Sequence, residues 1–343
     1  MNMRHGDNKK KGLARRALLA RAGAFAAGAV AAPFLGRVER AWAAWPNDRP
    51  VRIVVANSPG GPSDLTARMI APVLQEALGQ SFIVENRPGG GGNIGMQAVI
   101  RAEPDGYTLH LSTSIWVIAP SLYEPAPYDP YKDLVPVAEI AASPTVFVVR
   151  SESGVKTMKE LAELARKDQS KFNIATPPIG TTLHLGAELF KSREKLDKIA
   201  VLPHSGGGQA IQAILSNTVQ ACSSSFAPAI PHVQSGTLRA VAVLGESRLP
   251  ELPGVSTAEE QGYKDFNFDT YTALMAPAKT PPEIVKRIEE ALLKGLAQPA
   301  LREKFTKSGF QVRAKTAEEH AARIRREVPL FRDIIKTAGI KAK

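Results

Sequence analysis

The sequence predicts an α/β fold in two lobes, each a mostly parallel sheet flanked by helices. Three observations carry this. Short β-branched runs alternate with helical apolar periodicity along most of the chain. Two extended segments, near 144–150 and near 268–276, separate that alternation into an outer set and an inserted one. The loops that follow the strands are rich in Gly, Ser and Thr, as loops that position ligands in open α/β sheets often are. At 343 residues, 44% hydrophobic and 22% charged, the chain is long enough for two domains with a buried core.

Residues 1–43 read as an address rather than as structure. A basic stretch with Ala14-Arg15-Arg16-Ala17 precedes an apolar segment, 22–36, and then the small-x-small site Ala41-Trp42-Ala43. That order is the signature of a cleaved secretory leader, and the paired arginines are twin-arginine-like. The apolar segment is shorter than the roughly 20 residues needed to span a bilayer. The expectation is therefore export to the periplasm, with cleavage near Ala43. The leader carries +7 of the formal net charge of +11, leaving +4 on the rest. A charge that small argues against a nucleic-acid partner.

In the outer set, 51–55 and 82–85 read as strands, 65–78 as a helix, 96–101 as a short helix and 108–111 as a third strand. In the inserted set, 145–149, 172–175, 200–202 and 238–244 read as strands. Helices are expected over 157–167, opened by the capping-box pair Thr157 and Glu160, and over 183–190 and 209–216. A strand returns at 271–276, followed by helices over 282–296 and 316–338. The division this implies is 46–143 with 277–343 as one lobe, and 144–276, including both hinge strands, as the other. A cleft between lobes is a favoured ligand site.

Four strand–loop–helix passages could line such a cleft. They are Asn57-Ser58-Pro59-Gly60-Gly61-Pro62-Ser63-Asp64; Ser112-Thr113-Ser114; 176–184, with Gly180, Thr181, Thr182 and His184; and 204–209, with His204, Ser205 and Gly206. Glycines let the backbone approach a ligand, Ser63 or Asp64 can cap the following helix, and free N–H groups at a helix start favour an anion. Gly90-Gly91-Gly92-Asn93-Ile94-Gly95 satisfies G-x-G-x-x-G, but Ser112 to Trp116 stand where a dinucleotide site wants an acid. No cofactor or metal is expected: there is no nucleophile elbow or phosphate loop, and His184, His204 and His232 are too scattered for zinc. His184 reads equally as a ligand donor or as a packing residue. His110 reads as structural, His232 as capping a turn, and the lone Cys222 as an inert packed thiol. Glu139, Glu188 and Asp269 are candidate acids with no evident partner.

At this point the motifs resemble a family. Val51-Arg52-Ile53-Val54-Val55, the Pro-Gly-Gly-x-x-Asp loop at 59–64, Val84-Glu85-Asn86-Arg87-Pro88, Pro104-Asp105-Gly106-Tyr107, Gly180-Thr181-Thr182-Leu183-His184 and Leu274-Met275-Ala276-Pro277 run in order along the chain. Together they are similar to the Bug-type receptors, the periplasmic substrate-binding proteins of tripartite tricarboxylate transporters. The resemblance implies a Venus-flytrap fold, a small carboxylate ligand, membrane permease partners, no enzyme activity and a monomeric receptor. It implies that Gly60, Gly61, Ser63 and Asp64 pinch a carboxylate with Gly180, Thr181 and Thr182, and less firmly with His184. The loop after the third strand carries over to Ser112, Thr113 and Ser114. Pro203-His204-Ser205-Gly206 lacks a cation common there, and Ser224 replaces an acid, which implies a ligand without a distal ammonium. Trp116 and Phe226 are expected to meet an apolar or aromatic tail. A co-receptor for a periplasmic sensor kinase, and a periplasmic hydrolase or isomerase using His184 or His204 as base, stand as alternatives.

Overall fold

The structure, a computed structural model, describes residues 45–57 and 59–340. The leader and its cleavage site, and Ser58 among the expected contacts, lie outside the described residues.

The chain opens with β1 (Val51–Val55), β-branched and buried at four of five positions. Pro62 begins α1 (Pro62–Leu78), its fixed φ suiting the first helical position, and Gly79 ends it in the left-handed region at φ 72°. Then come β2 (Phe82–Asn86), α2 (Asn93–Ile100), β3 (Thr108–Thr113) and α3 (Ile115–Leu122). β4 (Leu134–Ser143) runs into β5 (Thr145–Arg150) with only Pro144 between them. Next are α4 (Met158–Lys167), β6 (Asn173–Thr176), α5 (Thr182–Arg193), β7 (Ala200–Pro203) and α6 (Gly207–Leu215). They are followed by β8 (Ala221–Ser225), α7 (Phe226–Gln234) and β9 (Leu238–Val243). The chain returns through β10 (Thr270–Pro277) and ends with α8 (Pro282–Leu296), α9 (Pro299–Lys307), β11 (Gln311–Thr316) and α10 (Ala317–Thr337).

The strands form two sheets, ordered β11-β4-β10-β3-β1-β2 and β7-β6-β8-β5-β9. The fold is two-lobed α/β as expected, but the sheets are mixed rather than mostly parallel. β1 pairs in parallel with β2 and β3, and β6 with β7 and β8. β10 is antiparallel to β3 and β4, β11 to β4, and β5 to β8 and β9. The two passages of the chain explain much of this. It leaves the first sheet along β4 and returns along β10, so these neighbours run in opposite senses. The same holds for β5, which enters the second sheet, and β9, which leaves it.

The passages are laced together. Leu244 N–H donates to Thr145 O at 2.8 Å and Phe268 N–H to Leu244 O at 2.9 Å. Thr145 Oγ1 donates to Phe268 O at 3.0 Å, and Phe226 N–H to Pro144 O at 2.8 Å. An aromatic series runs from β5 to α10 beside them: Phe147–Phe190, Phe190–Tyr263, Tyr263–Phe266, Phe266–Phe268 and Phe268–Phe331. Its ring centroids are 5.0 to 6.2 Å apart, the range in which aromatic pairs attract.

Glu139 and Asp269, expected to lack partners, are bound in a buried charge cluster. Arg323 on α10 donates through Nη1 to Glu139 at 2.8 Å, through Nη2 to Asp269 at 2.5 Å and through Nε to Glu327 at 2.7 Å. Its guanidinium lies 4.0 Å from the centre of the Tyr271 ring. Arg313 joins Asp269 at 2.7 Å to Glu246 at 3.3 Å, and Lys315 also holds Glu246 at 2.9 Å. Sequence distance hid this, since the partners of Glu139 and Asp269 lie 44 to 184 residues away. Burial alone would raise the Glu139 carboxyl, but the His320 hydrogen bond and Arg323 hold it down at about 2. Burial pushes Glu327 up to about 7 despite Arg323.

Arg323→Met should cost roughly 3–5 kcal/mol in urea denaturation at pH 7, because it strands two buried carboxylates. The stabilising contribution of Glu327 is whole below its ordinary 4.5 and is lost as pH rises through about 7. Glu327→Gln should therefore flatten the stability profile between about pH 5 and pH 8 relative to wild type.

Candidate functional site

Parallel registers gather the loops. Val55 pairs with Leu111 and Asn86, so the loops after β1 and β2 leave one edge of the first sheet beside the end of β3, where Ser112 and Thr113, expected in a loop, are still strand paired with Ala273 and Thr272. Thr176 pairs with Pro203 and Ala175 with Cys222, so 177–181, 204–206 and the end of β8 leave one edge of the second. The third loop leans on the first lobe: a Cβ at Gly180 (φ +81°) would collide with Leu122 Cδ1 of α3. Thr182 Oγ1 also meets Thr270 Oγ1, at the head of β10, at 3.0 Å.

In the first loop, neither Ser63 nor Asp64 caps the helix; Gly61 is the N-cap and no side chain bonds there. Asp64 turns backward. It accepts from Gly60 N–H at 2.9 Å and from Arg68 Nε at 3.0 Å. Burial would raise its carboxyl, but Arg68, Gly60 N–H and Asn86 hold it below the ordinary range. Asp64 is thus a brace for the turn, and it uses the Gly60 N–H. What remains open is Ser63: its buried Oγ has no partner among the described residues. The N–H groups of Ser63 and Asp64 likewise have none, as expected in a first turn.

In the second loop, Ser112 Oγ donates to Thr113 O at 3.1 Å, Thr113 Oγ1 accepts from Ile115 N–H at 3.4 Å, and Ser114 precedes α3, buried. Trp116, two residues on, lies in the core. It is fully buried, stacked on Tyr128 with centroids 4.2 Å apart, and its Nε1 donates to Pro130 O at 3.2 Å. The reason is α3 itself, whose apolar sequence is buried on several sides and draws Trp116 into the core.

In the third loop, Thr181 caps α5, its Oγ1 accepting from His184 N–H at 3.3 Å and donating to Pro178 O at 2.8 Å. The N–H groups of Thr182 and Leu183 find no acceptor among the described residues. His184 is buried, burial holds it at about 4, and its Nδ1 is without a partner among the described residues. It is therefore a neutral imidazole.

In the fourth, His204 Nδ1 lies 2.9 Å from Leu202 O; since a carbonyl only accepts, that nitrogen carries the proton. Ser205 leads to Gly206, the N-cap of α6, and the N–H groups of Gly207, Gly208 and Gln209 have no acceptor among the described residues. Ser224 Oγ is buried and unpartnered, 3.2 Å from where a Cβ of Gly207 would lie. Phe226, which opens α7, is buried in an apolar cluster with Val146, Ile211 and Ala229 and also lines a cavity with Pro144, Ala227 and Phe310.

Several other expectations are settled by position. The glycine run is a packing device, since a Cβ on Gly95 would stand 2.8 Å from both Ala56 Cα and Arg87 O. His110 is structural, buried with Nδ1 3.1 Å from Val54 O. His232 lies within α7 rather than at a turn. Cys222 is fully buried and its thiol is pushed up by burial. Arg68 and Asn86 were not anticipated; the i,i+4 spacing of Asp64 and Arg68 was the readable signal.

The comparison with known proteins falls in the same place. The model of the tripartite tricarboxylate transporter family receptor matches residues 66–340. The chain belongs to that family. Its members are solute receptors, not enzymes, so the hydrolase or isomerase alternative falls. Protein BugT of Bordetella pertussis is 32% identical over 297 residues, 86% of this chain and 91% of BugT. The periplasmic binding protein BugD is 31% identical with a TM-score of 0.70, covering 87% of this chain and 100% of BugD. The R. palustris protein Rpa4515, solved with adipate, is 29% identical with a TM-score of 0.72, covering 87% and 99%.

Thr181→Ala should cost about 1 kcal/mol by removing the α5 cap, read by thermal or urea denaturation. His184 is neutral in the fold, so its contribution is whole above about 6.5 and lost as pH falls toward about 4. His184→Gln should make stability fall less steeply over that window, with His110, also held at about 4, keeping some slope.

Proposed function

We propose that this chain is a periplasmic receptor that holds a small organic carboxylate between its lobes and delivers it to the membrane subunits of a tripartite-type transporter. The supporting observation is the set of unpartnered donors at helix starts drawn from both sheets. Ser63 Oγ and the first N–H groups of α1 come from one, and those of α5 from the other, with Ser224 and the first turn of α6 nearby in sequence order. Helix N-termini carry partial positive charge and suit an anion without an opposing cation. The relative solved with adipate supports a carboxylate as the occupant.

In this reading Gly60 and Gly61 contribute backbone proximity, Asp64 shapes the turn, and Ser112, Thr113 and Ser114 line the first-lobe edge. Gly180, Thr181 and Thr182 close from the other side, with His204, Ser205 and Gly206 beyond them. The burial of Trp116 and Phe226 favours an aliphatic acid over one with an aromatic tail, and Ser224 in place of an acid favours a ligand without a distal ammonium. The lobes divide as 46–143 with 277–343 and 144–276, the receptor is a monomer, and the leader directs export.

The test is isothermal titration and thermal shift of the mature protein, from residue 44, against malate, succinate, adipate and benzoate, after native mass spectrometry for any acid retained on purification. An aliphatic acid at a hundredfold excess over its Kd should add about 2.7 kcal/mol of apparent stability. Thr182→Val should weaken its binding about tenfold, the loss of one hydroxyl contact. Benzoate as the sole binder, or no binding by any acid, would overturn the reading.

A further inference from the structure

At the rim of the first sheet, a chain of hydrogen bonds closes around the first loop, from Asn57 to Gly60 and Asp64. Gly60 N–H donates to Asp64 Oδ2 at 2.9 Å, and Arg68 Nε meets both Asp64 oxygens at 3.0 and 3.1 Å. Arg68 Nη2 then reaches Asn86 Oδ1 at 3.2 Å, and Asn86 Nδ2 donates to Asn57 O at 3.1 Å. The chain thus grips the turn at both ends, Gly60 from the α1 side and Asn57 from the end of β2. We infer that Arg68 and Asn86 are positioning residues for the anion-receiving loop, fixing the backbone that leads into the open hydroxyl and first N–H groups of α1 before the ligand arrives.

The inference rests on the carboxylate-receptor reading and deepens it. The turn has little to order itself with: Gly60 stands at φ +84° with open space where a side chain would be. A loop left loose must be ordered at the moment of binding, and that cost comes off the affinity. Arg68 has a second effect. Asp64 is a buried carboxylate in the first turn of α1, where it would repel an incoming anion, and the guanidinium against it cancels that charge. Only a planar fork can serve Asp64 and Asn86 together, so Lys is no substitute. The Arg68 side chain is 52% exposed, so replacing it hollows no core.

The experiment uses Arg68→Lys, Asn86→Asp, Asp64→Asn and the Asn86→Asp/Asp64→Asn double variant. Asn86→Asp keeps the acceptor for Arg68 and loses the donor to Asn57 O. Amide exchange at Gly60 is measured without ligand, and Kd is measured with whichever of malate, succinate or adipate binds wild type most tightly. Each single variant should speed Gly60 exchange and weaken the acid about tenfold while Tm moves by only about 2 °C. The double variant should be weakened little beyond either single one, because both break the same chain. Unchanged Gly60 exchange, unchanged Kd beside faster exchange, or strictly additive losses would overturn the inference. A wild type that binds none of the three acids would overturn the functional reading instead, and Gly60 exchange would still decide whether Arg68 and Asn86 hold the turn.

Discussion

The arrangement of the two sheets depends on a single buried guanidinium. Arg323 is 3% exposed and holds carboxylates from β4, from the segment entering β10 and from its own helix. Taking those charges out of water is costly, and only near-complete hydrogen bonding offsets it. Nε, Nη1 and Nη2 of the arginine each supply one such bond in a common plane, the Tyr271 ring covers its face, and Glu327 Oε2 is left without a partner among the described residues. Arg313 and Lys315 then tie the cluster to Glu246, just past β9 in the second sheet's part of the chain. The base on which the lobes meet thus joins a polar, directional cluster to the aromatic series that runs from Phe147 to Phe331.

The candidate cleft follows a different rule. Its donors are backbone amides and hydroxyls, and the ionised groups near it are neutralised within the protein. Asp64 is matched by Arg68, and His184 is kept uncharged by burial. An anion entering such a site meets partial charges that are fixed by helix starts and need no reorganisation. The charge clusters are held at the joint and the neutral donors at the edges, so an anion bound there would carry the largest charge in the proposed cleft.

Much of this was legible beforehand, and the exceptions have physical causes. β1, β3 and β5 announce themselves by β-branched runs, and Thr157 caps α4 as its spacing implied, with Glu160 N–H donating to its hydroxyl at 3.2 Å. Glu160 itself reaches Lys156 N–H instead of the cap residue, a one-residue departure from the reciprocal box. α3 was missed because Ile115 to Leu122 is apolar all round and contains Pro120, leaving no period to read. β11 was missed because Gln311 to Thr316 is half-exposed throughout and shifts register between Val312 and Lys315. Of the site, the loops were readable from composition and spacing. Side-chain direction was not: Trp116 and Phe226 look like ligand contacts in sequence and are pulled into cores by helices whose packing only the tertiary structure reveals.

Pro144 gives the joint a property of its own. Proline has no N–H, so the one residue between β4 and β5 can accept a bond from its neighbours but never donate one. Its carbonyl is engaged by Phe226, but its nitrogen owes nothing to a neighbour. A bend at that residue would therefore sacrifice no donor of its own, and the strand that leaves one sheet enters the other through a position that owes its neighbours only an acceptor.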